Sequence, residues 1–158
     1  MKLKIKVKVL ADGCMPVISD KGDWIDLKAS MDVLQTTGPI TYVPLGVAIK
    51  LPKGFEAIVA SRSSAPRRYN ICIPNGIGII DNCYCGNNDE WMFIMHTLEK
   101  NSLPILKGDR ICQFRIQLSQ KATFWQKLKW FFSSGIELVE TTNLDSKNRG
   151  GLGSSGIK

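Results

Sequence analysis

A guanidinium and three hydroxyls stand together at Ser61–Ser64 (SRSS), directly before a stretch that reads as a helix start. Backbone N–H groups at a helix N-terminus and an arginine fork both suit phosphate oxygens, so this text is a cradle for phosphate. A second one is Arg149–Gly156 (RGGLGSSG), a glycine and serine loop whose backbone N–H groups could wrap oxyanions. Carboxylates stand elsewhere. Asp26 lies among apolar neighbours in Gly22–Ser30 (GDWIDLKAS), where a carboxylate needs a partner. Asp81 and Tyr84 fall at the bend of Asn75–Gly86 (NGIGIIDNCYCG), text with the look of a β-hairpin, and Gly108–Gln113 (GDRICQ) is a turn entering a strand. Each signal alone is modest; an aspartate in IDN, for instance, is ordinary turn text.

Two familiar nucleotide motifs are excluded. Gly151–Gly156 matches GxGxxG, but that fingerprint needs a strand before and a helix after, and only Ile157 and Lys158 follow. No GxxxxGK[ST] occurs, so the pattern of a P-loop is missing. The five cysteines, Cys14, Cys72, Cys83, Cys85 and Cys112, are odd in number and scattered, which is not a disulfide framework. A CxC pair and a single histidine, His96, make an incomplete set of zinc ligands. A reducing cytoplasm is the simpler account. The formal charge of +7 favours an anionic partner, and charge alone does not choose among nucleic acid, a membrane surface and a small polyphosphate.

The elements that must position these residues read as β. One domain fits 158 residues, and 44% hydrophobic content supports a core. No apolar run approaches the roughly 20 residues of a membrane helix, and the N-terminus lacks a signal peptide's blocks, so a soluble, unexported protein is expected. Residues 2–9 (KLKIKVKV) alternate strictly, putting Leu3, Ile5, Val7 and Val9 on one face and four lysines on the other. The lysines read as a solvated strand face. Further apolar pieces follow at WIDLKA, ITYVPLGVAI, FEAIVA, ICIP, 76–80, WMFIM and RICQFRI, punctuated about every ten residues as in a barrel or jelly roll. Two short helices are expected: one capped by Ser64 with Pro66 in its first turn, the other over Phe124 to Phe132. The aromatics of the second are expected to pack on a subunit rather than to meet a membrane. The tail from Thr141 to Lys158 is polar and glycine-rich, which reads as flexible, and a flexible tail with a motif is often a lid.

Taken in order, Gly22–Ser30, Ser61–Ser64, Asn75–Gly86, Gly108–Gln113 and Arg149–Gly156 resemble the five motifs of the trimeric dUTPase family, over nearly the whole chain. GDWIDL and GNNDEW look most like the branch of Gram-positive bacteria and their phages. The resemblance implies an all-β, distorted jelly-roll barrel over 1–140, with a short helix after the second motif, and a mobile arm over 141–158. It implies hydrolysis of dUTP to dUMP and pyrophosphate, with Asp81 activating the water that attacks the α-phosphorus. Tyr84 would pack under deoxyribose and leave no room for a 2′-hydroxyl. Asn75 and the backbone of Gly78, Ile79 and Ile80, reaching Asp89, would read uracil. Arg62, Ser63, Ser64 and Gln113 would bind phosphates, and Asp26 would hold Mg²⁺ through water. Leu152, Gly153, Ser154 and Ser155 belong to an arm that in this family crosses to a neighbouring subunit, which implies a homotrimer with shared sites.

Three departures stand out. Leu152 occupies the place of an aromatic that stacks on uracil, and Trp91 is the ring expected to substitute. The arginine sits closer to Leu152 than in the commoner form, so Arg149 or Lys147 meets the γ-phosphate; the planar fork of Arg149 favours it. Cys83 and Cys85 flank Tyr84, an arrangement open to oxidation. Residues 119–136 look like an insert. The competing readings are a dCTP deaminase on the same fold and a dUTPase-like regulator acting through a protein partner, with 119–136 as a contact surface. A specific nucleic-acid module would rest on net charge alone.

Overall fold

The computed structural model describes residues 1–34, 40–99 and 102–151. Strands β1 (Leu3–Val9), β4 (Thr41–Lys50), β8 (Glu90–Thr97), β6 (Ile71–Cys72) and β10 (Ile136–Glu140) form one five-stranded sheet, ordered β10-β1-β4-β8-β6. Strands β2 (Val17–Ile18), β3 (Ile25–Lys28), β9 (Arg110–Leu118), β5 (Phe55–Ser61) and β7 (Gly78–Ile80) form the other, ordered β2-β3-β9-β5-β7. Helix α1 spans Ala65–Tyr69 and α2 spans Phe124–Phe131. The all-β jelly-roll architecture expected from the punctuation of the sequence is met by these two sheets.

Alternation explains which face each strand buries. Leu3, Ile5 and Val7 of β1 are fully buried while Lys2, Lys4 and Lys6 are exposed. From the second sheet Leu27, Ala57, Ile111 and Phe114 join the same core as Leu45, Ile49 and Phe93 of the first. β4, which is central, runs as a nearly continuous buried stretch from Leu45 to Ile49. The strand β10 was missed in the sequence reading, because IELVE follows the aromatic segment and has weak alternation; it pairs in parallel with β1, Leu3 to Ile136 through Val7 to Glu140.

Both expected helices form. In α1 Pro66 occupies the first turn, and Asn70 ends the helix in the left-handed region with φ 49°. Ser64 does not cap it with its side chain: its backbone is already helical, so its hydroxyl points elsewhere. α2 is capped by Thr123, reciprocated by Gln126, a capping box. Trp130 packs on Phe55 with ring centroids 5.3 Å apart, but Phe124, Trp125, Phe131 and Phe132 stay largely exposed on this chain. Among the described residues no helix is long and apolar enough to cross a membrane.

Candidate active site

The second and third motifs lie in different places on one chain. Asp26, on β3, faces Gln113 of β9, and Gln113 in turn pairs with Ala60 of β5. These neighbouring strands lead into Ser61–Ser64, so three distant segments converge through sheet register. The Asp26 carboxylate is buried between two guanidiniums: Arg62 Nε forms an ion pair with one oxygen at 2.9 Å, and the other oxygen accepts from Arg110 Nη1 at 3.1 Å. Arg62 also donates from Nη1 to the Arg110 carbonyl at 3.3 Å, and Gln113 Nε2 reaches the Ser61 carbonyl at 3.5 Å. Ser63 and Ser64 are exposed beside them. Arg110 was not singled out in the sequence; its only signal was a cation opening the GDRICQ strand. Burial and the Asp26 charge push the Cys112 thiol well up, so it stays protonated.

Asp26 is the carboxylate whose apolar sequence neighbours call for a partner. A partner was required and is present. Each of its oxygens faces an arginine, and among the described residues no three His, Cys, Asp or Glu side chains cluster as a metal cage, which a hold on Mg²⁺ through water does not require.

The third-motif segment does not fold on itself as the expected hairpin, because its strand β7 pairs with β5; it forms the wall of a cavity of about 330 Å³. The cavity's lining comes from that segment (Asn75, Gly78, Ile79, Ile80, Asp81, Tyr84), from β5 (Val59), from β8 (Glu90, Met92, Ile94) and from Arg149–Gly151. The volume is within the range of small-molecule sites, with an apolar floor and few polar groups. Asp81 stands exposed at its mouth; Arg149 Nη1 lies 3.2 Å from its Oδ2. Asn82, next in sequence, donates to the carbonyls of Leu51 and Pro52 at 3.3 and 2.7 Å, which ties down the turn that carries Asp81. The Tyr84 hydroxyl donates to the Glu90 carbonyl at 2.8 Å, and burial, aided by Asp89 and Glu90, pushes its pKa up. Tyr84 thus lines the cavity with its hydroxyl anchored to β8. Glu90, Met92 and Ile94 are cavity residues that the sequence does not single out, because WMFIM reads as one apolar piece; the period of two in β8 is the signal that separates them from the buried Trp91 and Met95.

Two more expectations are corrected. Trp91 does not cover a base: it is fully buried, edge-on to Phe114 at 5.1 Å, on the face of β8 opposite the cavity. Its indole Nε1 has no hydrogen-bond partner among the described residues. Asp89 does not reach the cavity either, since its buried carboxylate takes backbone N–H groups of Gly86, Arg149 and Gly150. Leu144, early in the C-terminal segment, is fully buried. Leu152, Gly153, Ser154 and Ser155 lie outside the described residues.

A dUTPase family model matches residues 12–156, which takes in both the Asp26 cluster and the cavity. The chain belongs to the dUTPase family. The SPbeta prophage-derived deoxyuridine 5'-triphosphate nucleotidohydrolase YosS of Bacillus subtilis is 39% identical over 157 residues, covering 99% of this chain and all of its own length. Among solved structures, the dUTPase from Streptococcus mutans superposes with a TM-score of 0.67 at 22% identity, over 75% of this chain and 98% of that one. A mutant dUTPase from phage phi11 of S. aureus, described for its coordination of a structural Mg(II) ion, gives 0.62 at 17% identity, over 76% and 94%. At these identities the two structures speak for the fold. Family and relative together make the chain a hydrolase of the dUTPase kind.

Proposed function

We propose that Asp81 is the general base of dUTP hydrolysis in this chain: it orients and deprotonates the water that attacks the α-phosphorus, and pyrophosphate leaves. The observation that carries this is the placement of Asp81 at the mouth of a nucleoside-sized cavity, with the Arg149 cation 3.2 Å away. An in-line displacement needs a placed water, a base and cations for the phosphate charge, and the mouth offers the last two. Tyr84, with its hydroxyl held by Glu90, presents its ring to deoxyribose and sterically rejects a 2′-hydroxyl. Asn75, Gly78, Ile79 and Ile80 line the cavity, and this reading gives them the uracil edge. Leu152, which lies outside the described residues, is the base's cover in this reading.

Arg62, Ser63, Ser64 and Gln113 do not line this cavity. Phosphate groups and base pocket on separate surfaces of one chain are joined if one copy presents its cluster to another's cavity, which supports a C₃ homotrimer with sites at the subunit interfaces. Mg²⁺ belongs to this reading as an ion carried mainly by the substrate's phosphates, keeping most of its waters. The structural Mg(II) of the phi11 dUTPase is consistent with magnesium in the family.

The test is pyrophosphate release from dUTP, dTTP, dCTP and UTP, with Mg²⁺ and with EDTA, on wild type and Asp81→Ala. Release confined to dUTP, reduced by EDTA and lost in the variant, is expected. Ammonia released from dCTP would instead establish the deaminase, and turnover surviving in Asp81→Ala would remove Asp81 as the base.

A further inference from the structure

Asp89 is the most densely bonded carboxylate among the described residues that the proposed reaction does not use. Its side chain is 2% exposed. It accepts from Gly86 N at 2.7 Å, from Arg149 N at 2.9 and 3.1 Å, and from Gly150 N at 3.3 Å. One of these donors belongs to the third-motif segment and the others to the C-terminal arm. Neighbouring contacts reinforce the same seam. Asn88 N donates to the Asn148 side-chain oxygen at 3.0 Å, and Asn87 Oδ1 accepts from Leu144 N at 2.9 Å. Gly86 has no room for a Cβ, because one would collide with the backbone of Asn148.

We propose that Asp89 is a positioning residue for catalysis: it pins the arm's backbone at Arg149 and Gly150 to the third-motif segment and so delivers the Arg149 guanidinium to the mouth of the cavity. The inference rests on the reading of that cavity as the dUTP site. Relative strengths decide the assignment. The Arg149–Asp81 pair is open to water, with side chains 36% and 54% exposed, and such pairs hold geometry weakly. A buried carboxylate receiving several N–H groups holds it firmly. The location of Arg149 is therefore set by Asp89, and its side chain keeps the freedom to exchange partners. When a triphosphate enters, its oxygens compete for the guanidinium. The side chain swings off Asp81 while the backbone stays, and the freed Asp81 oxygen is then available to the attacking water. The same anchor thus couples phosphate arrival to release of the base.

The experiment compares wild type, Asp89→Asn, Arg149→Ala and the double variant. Hydrogen exchange of the Arg149 and Gly150 amides in nucleotide-free protein reads the anchor without any reliance on catalysis. We expect exchange to quicken by about tenfold or more in Asp89→Asn, with the far-UV spectrum unchanged. kcat/KM for dUTP should fall by about tenfold or more, yet Asp89→Asn should cost less than about twofold when added to Arg149→Ala, because both changes remove one delivered cation. Should Asp89→Asn fail to fold, Gly86→Ala displaces the arm through Asn148 with the carboxylate intact, and the same two results are expected. Unchanged amide protection overturns the proposal, and so does a full multiplicative loss in the double variant. If wild type released no pyrophosphate from dUTP, the site reading would fall, while the exchange result would still decide whether Asp89 anchors the arm.

Discussion

Asp26 and Asp81 each carry an arginine within 3.2 Å, and the environments make them opposites. Asp26 is buried on a central strand of its sheet, and two guanidiniums occupy its two oxygens. Asp81 stands half exposed on a turn with one arginine on one oxygen. A buried carboxylate with full partners is held as part of the fold, since removing either partner strands a charge out of water. An exposed one with a spare oxygen is free to take a proton from a bound water. The difference teaches that an aspartate's neighbours in sequence do not reveal its role. Asp26 looked needy and is satisfied; Asp81 looked like turn text and is available.

The same substitution in both places tests that contrast most directly. Asp81→Asn keeps shape and removes the base, so kcat on dUTP should fall by about 10²–10⁴-fold, with the thermal midpoint close to wild type. A large drop in the midpoint would show that Asp81 is structural and would erase the distinction. Next in size is Trp91→Ala. A buried indole packed on Phe114 should cost about 3–5 kcal/mol of unfolding free energy, measured by denaturant titration. Trp91→Phe, by contrast, removes the unpartnered Nε1 and should cost far less. If Trp91→Ala left stability intact and raised KM alone, Trp91 would return to the uracil site.

How much of this was legible in the sequence follows from the range of the forces involved. Strands and turns come from local patterning, so β1, with its lysines out, could be read directly, whereas the expected Asn75–Gly86 hairpin is a strand, β7, whose partner is the distant β5. The motif residues in that segment stayed together because they lie within a dozen positions of one another. Trp91 and Asp89 could not be placed that way. Each is one residue from a cavity-facing neighbour, and the period of two in β8 sends Trp91 inward while Glu90 and Met92 face the cavity. The position of Asp89 depends on Arg149 and Gly150, some sixty residues on, and no local signal contains that contact. Arg110 escaped for the same reason: its partner lies 84 residues away in sequence although its strand is adjacent in the sheet.

Asp26→Asn completes the pair of aspartate substitutions. It leaves Arg62 and Arg110 without their shared counter-charge, but both arginines are partly exposed, at 30% and 45%, and water screens them. The loss should therefore be about 1–3 kcal/mol, below that of a fully buried pair. Chemical denaturation of Asp26→Asn checks it. A variant as stable as wild type but with a weakened response to Mg²⁺ would give Asp26 the metal role and reverse the contrast with Asp81.

The smallest effect expected is in the pH dependence of the Asp26 side of the molecule, where Tyr69 closes α1 against the core. Burial first, and then the hydrogen bond and charge of Asp109, push the Tyr69 hydroxyl from 10.0 up to about 12, against a lesser lowering from Arg68 and Arg62. The native state thus keeps a proton that the unfolded chain gives up. Stability from this group is complete below about pH 10 and is lost as pH rises from there through about 12. Tyr69→Phe abolishes that titration, so the variant's unfolding free energy should lose less between pH 9.5 and 11.5 than wild type's, by an amount on the order of 1 kcal/mol. Over the same interval Tyr84→Phe should change the slope less, since the Tyr84 ring sits half-buried at an open cavity and not in the closed core. Equal slopes in wild type and Tyr69→Phe would show that α1 opens before the tyrosine ionises, making this edge of the phosphate cluster the loosely held region rather than the arm.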